Sequence, residues 1–451
     1  MHWVPYIPWG HRHSSYARTA FRNQSLPTRV PHPRKARVGR KYPQTFGSLS
    51  LLTFTQALDL VLEHSRSFPA PAVESIPLEQ ALGRTLAAQL LADRDQPPFH
   101  RSTRDGYAVD AASFSRDRQA KVTGFLPAGK VWQGSAIAPG ETVEIMTGAP
   151  VPPGADAVVM LEHVERSGDR ISLSSDRTLR PGENVVPAGS EAVAGQSILP
   201  AGARLGSAEI GLAASVGGSR LWVYAQPSVA ILATGDELVT VEETPLPHQI
   251  RNSNTHTLAA LVREAGGIPS ALPIAADTRD SLRDLLLQAR SHDLVLLSGG
   301  VSAGKHDLVE EVLAELGAEF YFTGVSIQPG KPAVFGRLHN GPYFFGHPGN
   351  PVSTQVTFLL FAAPMLRALG GQSNLSPLFA QAAAAEPMTH KPGLTRFLPA
   401  HLESSLTPTV RLVPWQGSGD LAANARANCY AVLPADQERI PQGDPVTLLL
   451  R

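Results

Sequence analysis

The chain of 451 residues is long enough for two to four domains, and its 43% hydrophobic content is ordinary for a globular protein. Its best apolar run, residues 358–369 (FLLFAAPMLRAL), is too short for a membrane span and contains Pro364 and Arg367. Its one cysteine, Cys429, excludes an intrachain disulfide and an all-cysteine metal cluster. We therefore expect a cytoplasmic protein without a membrane partner.

The charges are unevenly distributed along the chain. Residues 1–50 contain nine Lys or Arg and no Asp or Glu, which leaves 30 basic and 39 acidic residues in the rest, a net charge of −9. That acidic body is not typical of a nucleic-acid-binding protein. The basic tail lacks the apolar core of a secretory signal, and its Arg-rich composition would suit an organellar transit peptide. Because it shows no amphipathic helical period, we expect a disordered extension or an unused upstream start.

The ordered part is expected to begin near Thr53. Residues 55–65 (TQALDLVLEHS) predict a helix capped by Thr55, and residues 77–92 (PLEQALGRTLAAQLLA) predict a second helix with Pro77 in its first turn. One face of the first helix is apolar and should pack on the core: Ala57, Leu58, Val61 and Leu62.

The middle of the chain divides into two patterns. Residues 97–200 are rich in Val, Gly and Pro and contain short β-like runs such as AVVMLEHV and RISLS, which predict a small all-β domain. From about Pro227, strands alternate with helices, one of them capped at Asn254, and this pattern predicts a parallel, doubly wound sheet. The last 75 residues or so return to β-like sequence and predict a small β-barrel.

Two later helices in the alternating region have apolar faces with helical spacing. The pattern also predicts a strand at YFFG and a long helix that starts at Asn350–Pro351 and runs through Leu366. The apolar positions of the two helices are Leu282, Leu285, Leu286 and Ala289 in the first, and Leu308, Val309, Val312, Leu313 and Leu316 in the second.

Four glycine-containing turns follow predicted strands: residues 234–237 (TGDE), 298–307 (SGGVSAGKHD), 329–332 (PGKP) and 347–351 (HPGNP). In doubly wound sheets ligands bind beyond the carboxyl ends of the strands, and glycines there let backbone amides approach an anion. The four turns therefore predict one anion-binding crevice. The alternative is that each turn is only a tight strand-to-helix connection.

One of these turns resembles a nucleotide-binding phosphate loop. Gly299, Gly304 and Lys305 have Walker A spacing, but His306 stands where that loop needs a hydroxyl for Mg²⁺. Two strand–helix units also precede the turn, whereas a P-loop follows the first strand of its domain. A P-loop NTPase is therefore the least favoured interpretation.

Acidic residues collect at the same strand ends and could hold Mg²⁺, which takes oxygen ligands: Asp236, Glu237, Asp277 and Asp307. A further acid, Asp105, lies in RSTRDGYAVD in the β domain. Helix capping is the alternative role for Asp236 and Asp307. His306 and His347 are possible ligands or acid–base groups, although a turn histidine is more often a packing residue.

Taken together, the motifs resemble one family. The chain contains, in order, ALGRTLA, RDGYAV, EIMTGAPVPPGADAVVM, PGENVVPAGSE, ATGDEL, SGGVSAGKHD, IQPGKP, GHPGNPVS and GSGDLAANARANCYAVLP. Over about residues 53–451 it resembles the molybdopterin molybdotransferases, the molybdenum insertases that include bacterial MoeA and the E domain of gephyrin. The length and order of the motifs make this resemblance far more specific than any one glycine loop.

The resemblance implies a reaction and a domain plan. Members insert molybdenum from molybdate into adenylylated molybdopterin and release AMP with Mg²⁺, as homodimers that act after a molybdopterin adenylyltransferase. After the disordered tail 1–50, the implied units are a helix packing on the doubly wound domain (51–68), an elongated linking and dimerisation domain (69–96 and 195–224), an inserted β domain (97–194), the doubly wound molybdopterin-binding domain (225–372) and a C-terminal β-barrel (373–451).

The resemblance also assigns roles to residues. It implies catalytic roles for Asp105, Thr147, Glu237 and Asp277, with Asp105 and Thr147 acting from a partner subunit or a neighbouring domain. It implies metal ligands at Glu191, Glu237, Asp277 and Asp307, where Glu191 replaces the usual Asp. The implied substrate-binding residues are Gly299, Gly300, Ser302, Lys305, Lys331, Pro348, Asn350, Pro351, Ser353 and Ser418.

The chain departs from the family at four positions that are often basic and are neutral here: Val186, Gly324, Gln328 and Pro399. A site for molybdate and a pyrophosphate needs positive charge, because unpaired anions are costly to desolvate. The residues that could replace the missing cations are Arg251, Lys305, His306, His347 and Arg396. The loss leaves open a non-catalytic pterin-binding or scaffolding protein of the same fold. Separately, the sequence leaves open whether molybdate or tungstate is preferred.

Overall fold

The computed structural model describes residues 51–174, 177–300 and 308–451. The basic tail therefore lies outside the described residues. So do four residues of the 298–307 turn for which roles were predicted: Ser302, Lys305, His306 and Asp307.

A six-stranded sheet forms the centre of the domain at residues 225–372, called the central domain below. Its strand order is Ile268–Ala271, Ser228–Ala233, Leu294–Ser298, Tyr343–His347, Val334–Arg337, Glu319–Phe322. The first four strands are parallel, as predicted, whereas the last two pair antiparallel. A short connection, residues 338–342, joins Val334–Arg337 to Tyr343–His347, and only antiparallel neighbours can be joined in this way.

Helices cover both faces of this sheet, which confirms the doubly wound prediction. Alternate side chains of each strand point to opposite faces, so Ile231 and Leu296 belong to one core and Leu232 and Leu297 to the other. The helices on the first face are Phe54–Ser65, Ser253–Glu264, Pro351–Thr357 and Ala363–Leu369, and those on the second face are Arg279–Ala289 and Leu308–Glu315.

Two predicted helix caps are wrong by two residues. The first helix is capped by Thr53, whose hydroxyl accepts from the Gln56 amide while Gln56 accepts from the Thr53 amide. The reciprocal bonds satisfy two backbone donors, which a cap at Thr55 would not. Asn252, and not Asn254, caps the helix Ser253–Glu264.

The continuous helix Pro351–Leu369 is longer than the apolar run that the sequence suggested. Its middle, Phe358–Ala362, has π-helical hydrogen bonding. The helix is long and apolar enough to span a membrane, but 78% of its most apolar stretch is buried inside the protein. It packs against the sheet and the N-terminal helix as part of the largest core, so burial in the protein accounts for its apolar character.

The helix predicted at residues 77–92 is wrong. The segment forms the strand Val73–Pro77, a 3₁₀ turn at Leu78–Gln80 and the strand Leu90–Leu91. Gly83 adopts a left-handed φ of 77°, and its amide donates to Leu205 O across the domain. Long-range backbone pairing thus replaced the helical hydrogen bonds that the local pattern favoured.

This segment builds a linking domain with residues 195–224. Val73–Pro77 pairs with Arg220–Tyr224, and Leu90–Leu91 pairs with Ser197–Leu199. The helix Ser207–Ser215 packs over the small core at Leu86, Leu205, Leu221 and Val223.

The inserted domain is β-rich, as predicted. Its six-stranded sheet has the order Ala157–Met160, Gly106–Val109, Glu141–Ile145, Gln119–Leu126, Arg170–Leu173, Val164–Ser167. The short strands Arg101–Ser102 and Val185–Val186 pair at its base, and the other elements are the helix Ala111–Asp117 and the turn Leu161–His163.

A closed five-stranded barrel forms the C-terminal domain, also as predicted. Its strands, in the order in which they pair, are Thr395–Glu403, Thr409–Leu412, Phe379–Ala384, Pro445–Leu450 and Cys429–Leu433. The last of these strands pairs with the first, which closes the barrel. The sixth strand of this sheet, Ile327–Gln328, comes from the central domain and joins the barrel at Thr395. The remaining elements are the strands Met388–Thr389, Arg439–Ile440, Leu238–Val239 and Ile250–Arg251 and the helix Leu421–Arg426.

Candidate functional site

Three of the four predicted turns begin side by side at one edge of the central sheet, called the carboxyl edge below. The strand ends Ala233, Ser298 and His347 pair in register across neighbouring strands. The turns that begin at Thr234, Gly299 and Pro348 therefore share this edge, as the parallel sheet requires.

The fourth turn, Pro329–Pro332, does not end a strand of the central sheet, so its predicted position is wrong. It follows Ile327–Gln328, which belongs to the barrel sheet. The local sequence cannot show which sheet a two-residue strand joins, because backbone pairing decides that.

The turn nevertheless meets the carboxyl edge in a cavity of about 440 Å³, called the Lys331 cavity below. Five predicted substrate-binding residues line it: Lys331, Pro348, Asn350, Ser353 and Ser418. The other lining residues are Ile327, Gln328, Pro329, Gly330, Pro332, Leu394, Trp415 and Gly417. Lys331 is the one charged side chain in this set, so the cavity as described is weakly positive and carries no carboxylate.

The start of the helix at Asn350 holds one wall of the cavity against the barrel. Pro351 occupies the first helical turn, where its missing N–H costs nothing. The next amide, of Val352, donates to Ser418 O at 3.0 Å and fixes the barrel loop beside the helix start. Pro351 has no N–H and the Val352 N–H is taken by Ser418 O, so it is the helix dipole that favours an anion at this start, and the cavity suits an oxyanion.

The glycines of the 298–307 turn allow close packing of two turns. A Cβ at Gly299 would lie 2.6 Å from Thr234 O, and one at Gly300 would lie 2.4 Å from Val309 Cγ2. Both glycines have positive φ, of 89° and 63°. Glycine is therefore required at both positions on grounds of space and of backbone conformation.

Asn254 links two turns at the carboxyl edge, a role that the sequence analysis missed. Its Nδ2 donates to Ser298 Oγ and to Gly349 O, both at 2.8 Å. Its Oδ1 is buried and has no partner among the described residues, and a buried acceptor left in this way carries a desolvation cost. A ligand N–H could satisfy it. The signal in the sequence is the repeated Asn of RNSN, in which the first caps the helix and the second points to the sheet edge.

Hydrogen bonds link the two segments that carry the acidic residues of the carboxyl edge. Asp277 Oδ1 accepts from the buried Thr234 hydroxyl at 2.6 Å, and the Asp277 amide donates to Asp236 Oδ1 at 3.0 Å. The Glu237 carboxylate folds over Gly235, where a Cβ would lie 2.7 Å from Glu237 Oε2. Asp236, Glu237 and Asp277 are all exposed.

These carboxylates provide the exposed oxygen ligands that a Mg²⁺ site requires. Mg²⁺ commonly uses one or two protein carboxylates and fills its other positions with water and substrate phosphates. Asp277 and Glu237 fit that pattern in their donor chemistry and exposure. Within residues 51–174, 177–300 and 308–451, no three His, Cys, Asp or Glu side chains are grouped to enclose an ion. A Mg²⁺ ion held by Asp277 and Glu237 would therefore need further ligands from substrate oxygens or from residues outside the described ranges.

Asp105 and Thr147 form a pair in the inserted domain. Asp105 Oδ1 accepts from the Thr147 amide at 2.7 Å and from its hydroxyl at 2.8 Å. The backbone hydrogen bond, followed by the hydroxyl, lowers the pKa of Asp105 below its usual value. The side chain is exposed and its bonds within the described part go to Thr147, so the structure does not bring it into contact with the carboxyl edge in one chain.

Glu191 lies apart from Glu237 and Asp277, the other predicted metal ligands within the described residues. Its carboxylate is 3.4 Å from Arg101 Nη2 at the base of the inserted domain. It lines a separate cavity of about 330 Å³ between the inserted and linking domains. Its role as a metal ligand stays a prediction.

His347 is a packing and positioning residue rather than a replacement cation. Its Nδ1 bonds the Thr357 hydroxyl at 2.8 Å, and its ring lies beside Phe345 and Phe358. Burial lowers the pKa of His347 to about 3, so the ring is neutral near neutral pH. Its backbone O accepts from the Gly299 amide, which ties two turns together.

The four neutral positions have different surroundings. Gln328 lines the Lys331 cavity. Gly324 is buried, and a Cβ there would lie 2.6 Å from Leu51 Cδ2, so a long basic side chain would not fit without a shift. Pro399 pairs with Tyr430 in the barrel wall, and Val186 pairs with Arg101 in the inserted domain.

Comparisons with known proteins agree across almost the whole described chain. Residues 52–217 match the family profile described as the MoeA N-terminal region (domain I and II). Residues 230–368 match the probable molybdopterin binding domain, and residues 381–450 match the MoeA C-terminal region (domain IV).

Individual relatives give the same result. The molybdopterin molybdenumtransferase of Nostoc sp. is 34% identical over 83% of this chain and 88% of its own length, and that of Haemophilus influenzae is 32% identical over 88% and 98%. The crystal structure of a molybdopterin biosynthesis MoeA protein from Pyrococcus horikoshii OT3 superposes with a TM-score of 0.70 at 27% identity, covering 89% of this chain and 100% of that one.

Proposed function

Because this chain belongs to the MoeA family of molybdopterin molybdenumtransferases, we propose that it inserts molybdenum from molybdate into adenylylated molybdopterin and releases AMP. The observation that carries the proposal is the Lys331 cavity, where five residues predicted to bind substrate come together from the central domain and the barrel. The cavity is the candidate molybdate site, and the glycine turns of the carboxyl edge are the candidate pterin and pyrophosphate site.

Roles follow from the environment of each group. Lys331 and the helix start at Asn350 would hold the oxyanion, and Asn254 Oδ1 would accept from the pterin ring. Mg²⁺, held by Asp277 and Glu237, would neutralise the pyrophosphate. The lowered pKa of Asp105 makes it a weak proton acceptor at neutral pH. We therefore assign it an electrostatic or water-orienting role and not that of a general base.

The proposal extends to the assembly and its setting. We propose a homodimer in which Asp105 and Thr147 of one subunit face the carboxyl edge of the other, since they do not contact that edge within their own chain. The upstream partner would be a molybdopterin adenylyltransferase, which makes the adenylylated substrate. The reaction would take place in the cytoplasm.

The test is AMP release by the full chain. Purified protein incubated with adenylylated molybdopterin, Mg²⁺ and molybdate should release AMP, and Asp105→Ala should lower the rate about 100-fold or more, as for loss of a preorganised electrostatic group. Asp117→Ala, an exposed acid of the same domain, is the matched control and should keep the wild-type rate.

Three results would count against the proposal or a part of it. An absence of AMP, with an active family member alongside, would refute the transferase activity for this chain. Tight pterin binding without AMP release would instead favour the non-catalytic pterin-binding or scaffolding protein. Wild-type turnover in Asp105→Ala would remove Asp105 from the mechanism.

A further inference from the structure

We propose that Arg451 is a positioning residue for the oxyanion site, because it holds the barrel wall of the Lys331 cavity in place. The inference rests on the proposed function, since the oxyanion it names is molybdate. Arg451 is not among the residues that line the cavity. It acts through the helix Leu421–Arg426, called the short barrel helix below, and through the loop before it, residues 416–420.

The loop before the short barrel helix carries Ser418 and closes on the helix start. The Asp420 carboxylate caps the helix, since its Oδ1 accepts from the Ala423 amide at 2.9 Å. Its Oδ2 accepts from the Gln416 amide at 3.1 Å, and the Asp420 amide donates to Gly417 O at 3.0 Å. Gly417 and Ser418 line the cavity, so a movement of the helix moves this part of the cavity wall with it.

Apolar packing fixes the short barrel helix weakly. Ala423 in the helix and Ala427 just beyond it pack on Val413 and Trp415 in a small cluster, and Trp415 also lines the cavity. An alanine methyl buries little apolar surface, and the free energy gained by burial scales with that area. Hydrogen bonds must therefore supply much of what holds the helix in position.

Arg451 supplies hydrogen bonds at the other end of this helix. Its Nη1 donates to Asn424 O and to Ala427 O, both at 2.7 Å. Carbonyls at a helix end lack the amides of a following turn, so a side-chain donor there completes the hydrogen bonding of the helix. The guanidinium also lies over the ring of the fully buried Tyr430, 5.9 Å from its centroid.

The same side chain reaches the central domain. Arg451 Nη2 donates to Oε1 of the buried Gln355 at 3.3 Å, and Gln355 lies two residues after Ser353, a lining residue on the same helix. Tyr430 adds a parallel link, because its hydroxyl donates to Asn424 Oδ1 at 2.8 Å and lies 3.4 Å from Gln355 Oε1. Arg451 thus ties the helix behind one cavity wall to the helix behind the other.

Oxyanion binding depends on this link because the cavity lining comes from both domains. Lys331 belongs to the central domain and Ser418 to the barrel, and a backbone bond from the Val352 amide to Ser418 O joins the two walls. With Arg451 removed, the short barrel helix would be held less firmly. Molybdate would then have to order the Ser418 loop as it binds, and the free energy of that ordering is subtracted from the observed affinity.

The experiment measures molybdate binding to the full chain without pterin, by calorimetric titration. Arg451→Gln should weaken binding about fivefold, as for the loss of one or two hydrogen bonds that order the site. Arg451→Lys should weaken it less, because one ammonium can still meet the helix carbonyls but lacks the planar pair of nitrogens that reaches Gln355. Arg411→Gln is the matched control, since Arg411 pairs with Glu403 on the same barrel, and it should bind as wild type.

A second control separates positioning from general stability. Ile440→Val shortens a buried side chain of the barrel core outside the cavity lining, so it should lower the melting temperature without changing molybdate affinity. In the AMP assay, Arg451→Gln should raise the KM for molybdate about fivefold and leave kcat near wild type. A merely structural role would instead lower the amount of active protein, and hence the apparent kcat, at an unchanged KM.

Wild-type molybdate affinity in a folded Arg451→Gln variant would overturn the inference, and so would an equal loss of affinity in Ile440→Val. Should Arg451→Gln not fold, Gln355→Met decides instead, because it removes the acceptor in the central domain and leaves the helix end bonded to Arg451. Gln355→Met should weaken molybdate binding about threefold, as for one lost hydrogen bond. Unchanged affinity in that variant would contradict the link between the two walls.

The titration separates the inference from the proposed function. It uses molybdate alone, so it reports on Arg451 whether or not AMP is released. If the wild type releases no AMP but its molybdate binding weakens in Arg451→Gln, the proposed reaction fails and the inference stands. If AMP is released and Arg451→Gln binds molybdate normally, the reverse holds. An absence of molybdate binding by the wild type would also overturn the inference.

Discussion

Single side chains set the electrostatics of two acidic groups with proposed roles, Asp105 in the inserted domain and Asp277 at the carboxyl edge. Thr147 holds the Asp105 carboxylate with two donors, which keeps that carboxylate charged to lower pH than usual. At the carboxyl edge, Thr234 holds Asp277 with one hydroxyl. Each Thr occupies only part of the Asp carboxylate that it binds. Both carboxylates therefore stay available to a cation or a water.

We predict that Thr147→Val shifts the acid side of the pH–rate profile to higher pH. The backbone amide still donates to Asp105, but the hydroxyl does not, so the pKa of Asp105 rises towards its usual value. The charged form is then lost at a higher pH as the solution is acidified. AMP release measured across the acid range checks this, with Thr123→Val as the control because its hydroxyl donates to Thr142 O. An unshifted acid limb would mean that the Asp105 charge does not limit the rate.

The turns at the strand ends carry most of the candidate site, and their glycines are structural requirements. Gly300 has a left-handed φ and packs against Thr234 and Val309. The turn therefore brings the chain that leads into residues 301–307 close to the TGDE turn. Three turns meet in this way because their strands are parallel and in register, and the local sequence shows both features through its alternation and its glycines.

We predict that Gly300→Ala destabilises the protein. The left-handed backbone costs about 1–2 kcal/mol for a residue with a Cβ, and the overlap with Val309 and Thr234 adds about 1–3 kcal/mol. Gly182→Ala is the control, since Gly182 has a similar φ of 81° and open space around its Cβ position. Urea unfolding of both variants is the measurement. Equal shifts in midpoint would show that the tight packing at Gly300 does not contribute.

The arrangement of domains across the molecule decides which groups can share one site. The central domain and the barrel meet at the Lys331 cavity through the strand Ile327–Gln328. Asp105 and Thr147 bond each other within the inserted domain. We therefore propose that a site using both sets forms between two chains, as in the proposed homodimer.

We predict complementation between subunits. Dimers formed by mixing Asp105→Ala with Lys331→Ala should recover about a quarter of wild-type AMP release, because about half are hybrids and each hybrid has one intact site. Mixing Asp105→Ala with Asp105→Asn should recover none, since both variants lack the same carboxylate in every site. Recovery in neither mixture would place Asp105 and Lys331 in a site within one chain.

The amino-acid sequence determined the family, the doubly wound sheet, the barrel and five of the residues that line the Lys331 cavity. These follow from signals carried by neighbouring residues: helical and strand periodicity, glycine turns and the order of the motifs. The helix predicted at residues 77–92 failed because Gly83 and its neighbours bond to residues 203–205 instead. Tertiary structure alone decided that the PGKP turn belongs to the barrel sheet, that Asn254 bridges two turns, and that Gln328 lies beside Arg396. Pairing between distant segments sets these contacts, and no local pattern encodes the register of such a pair.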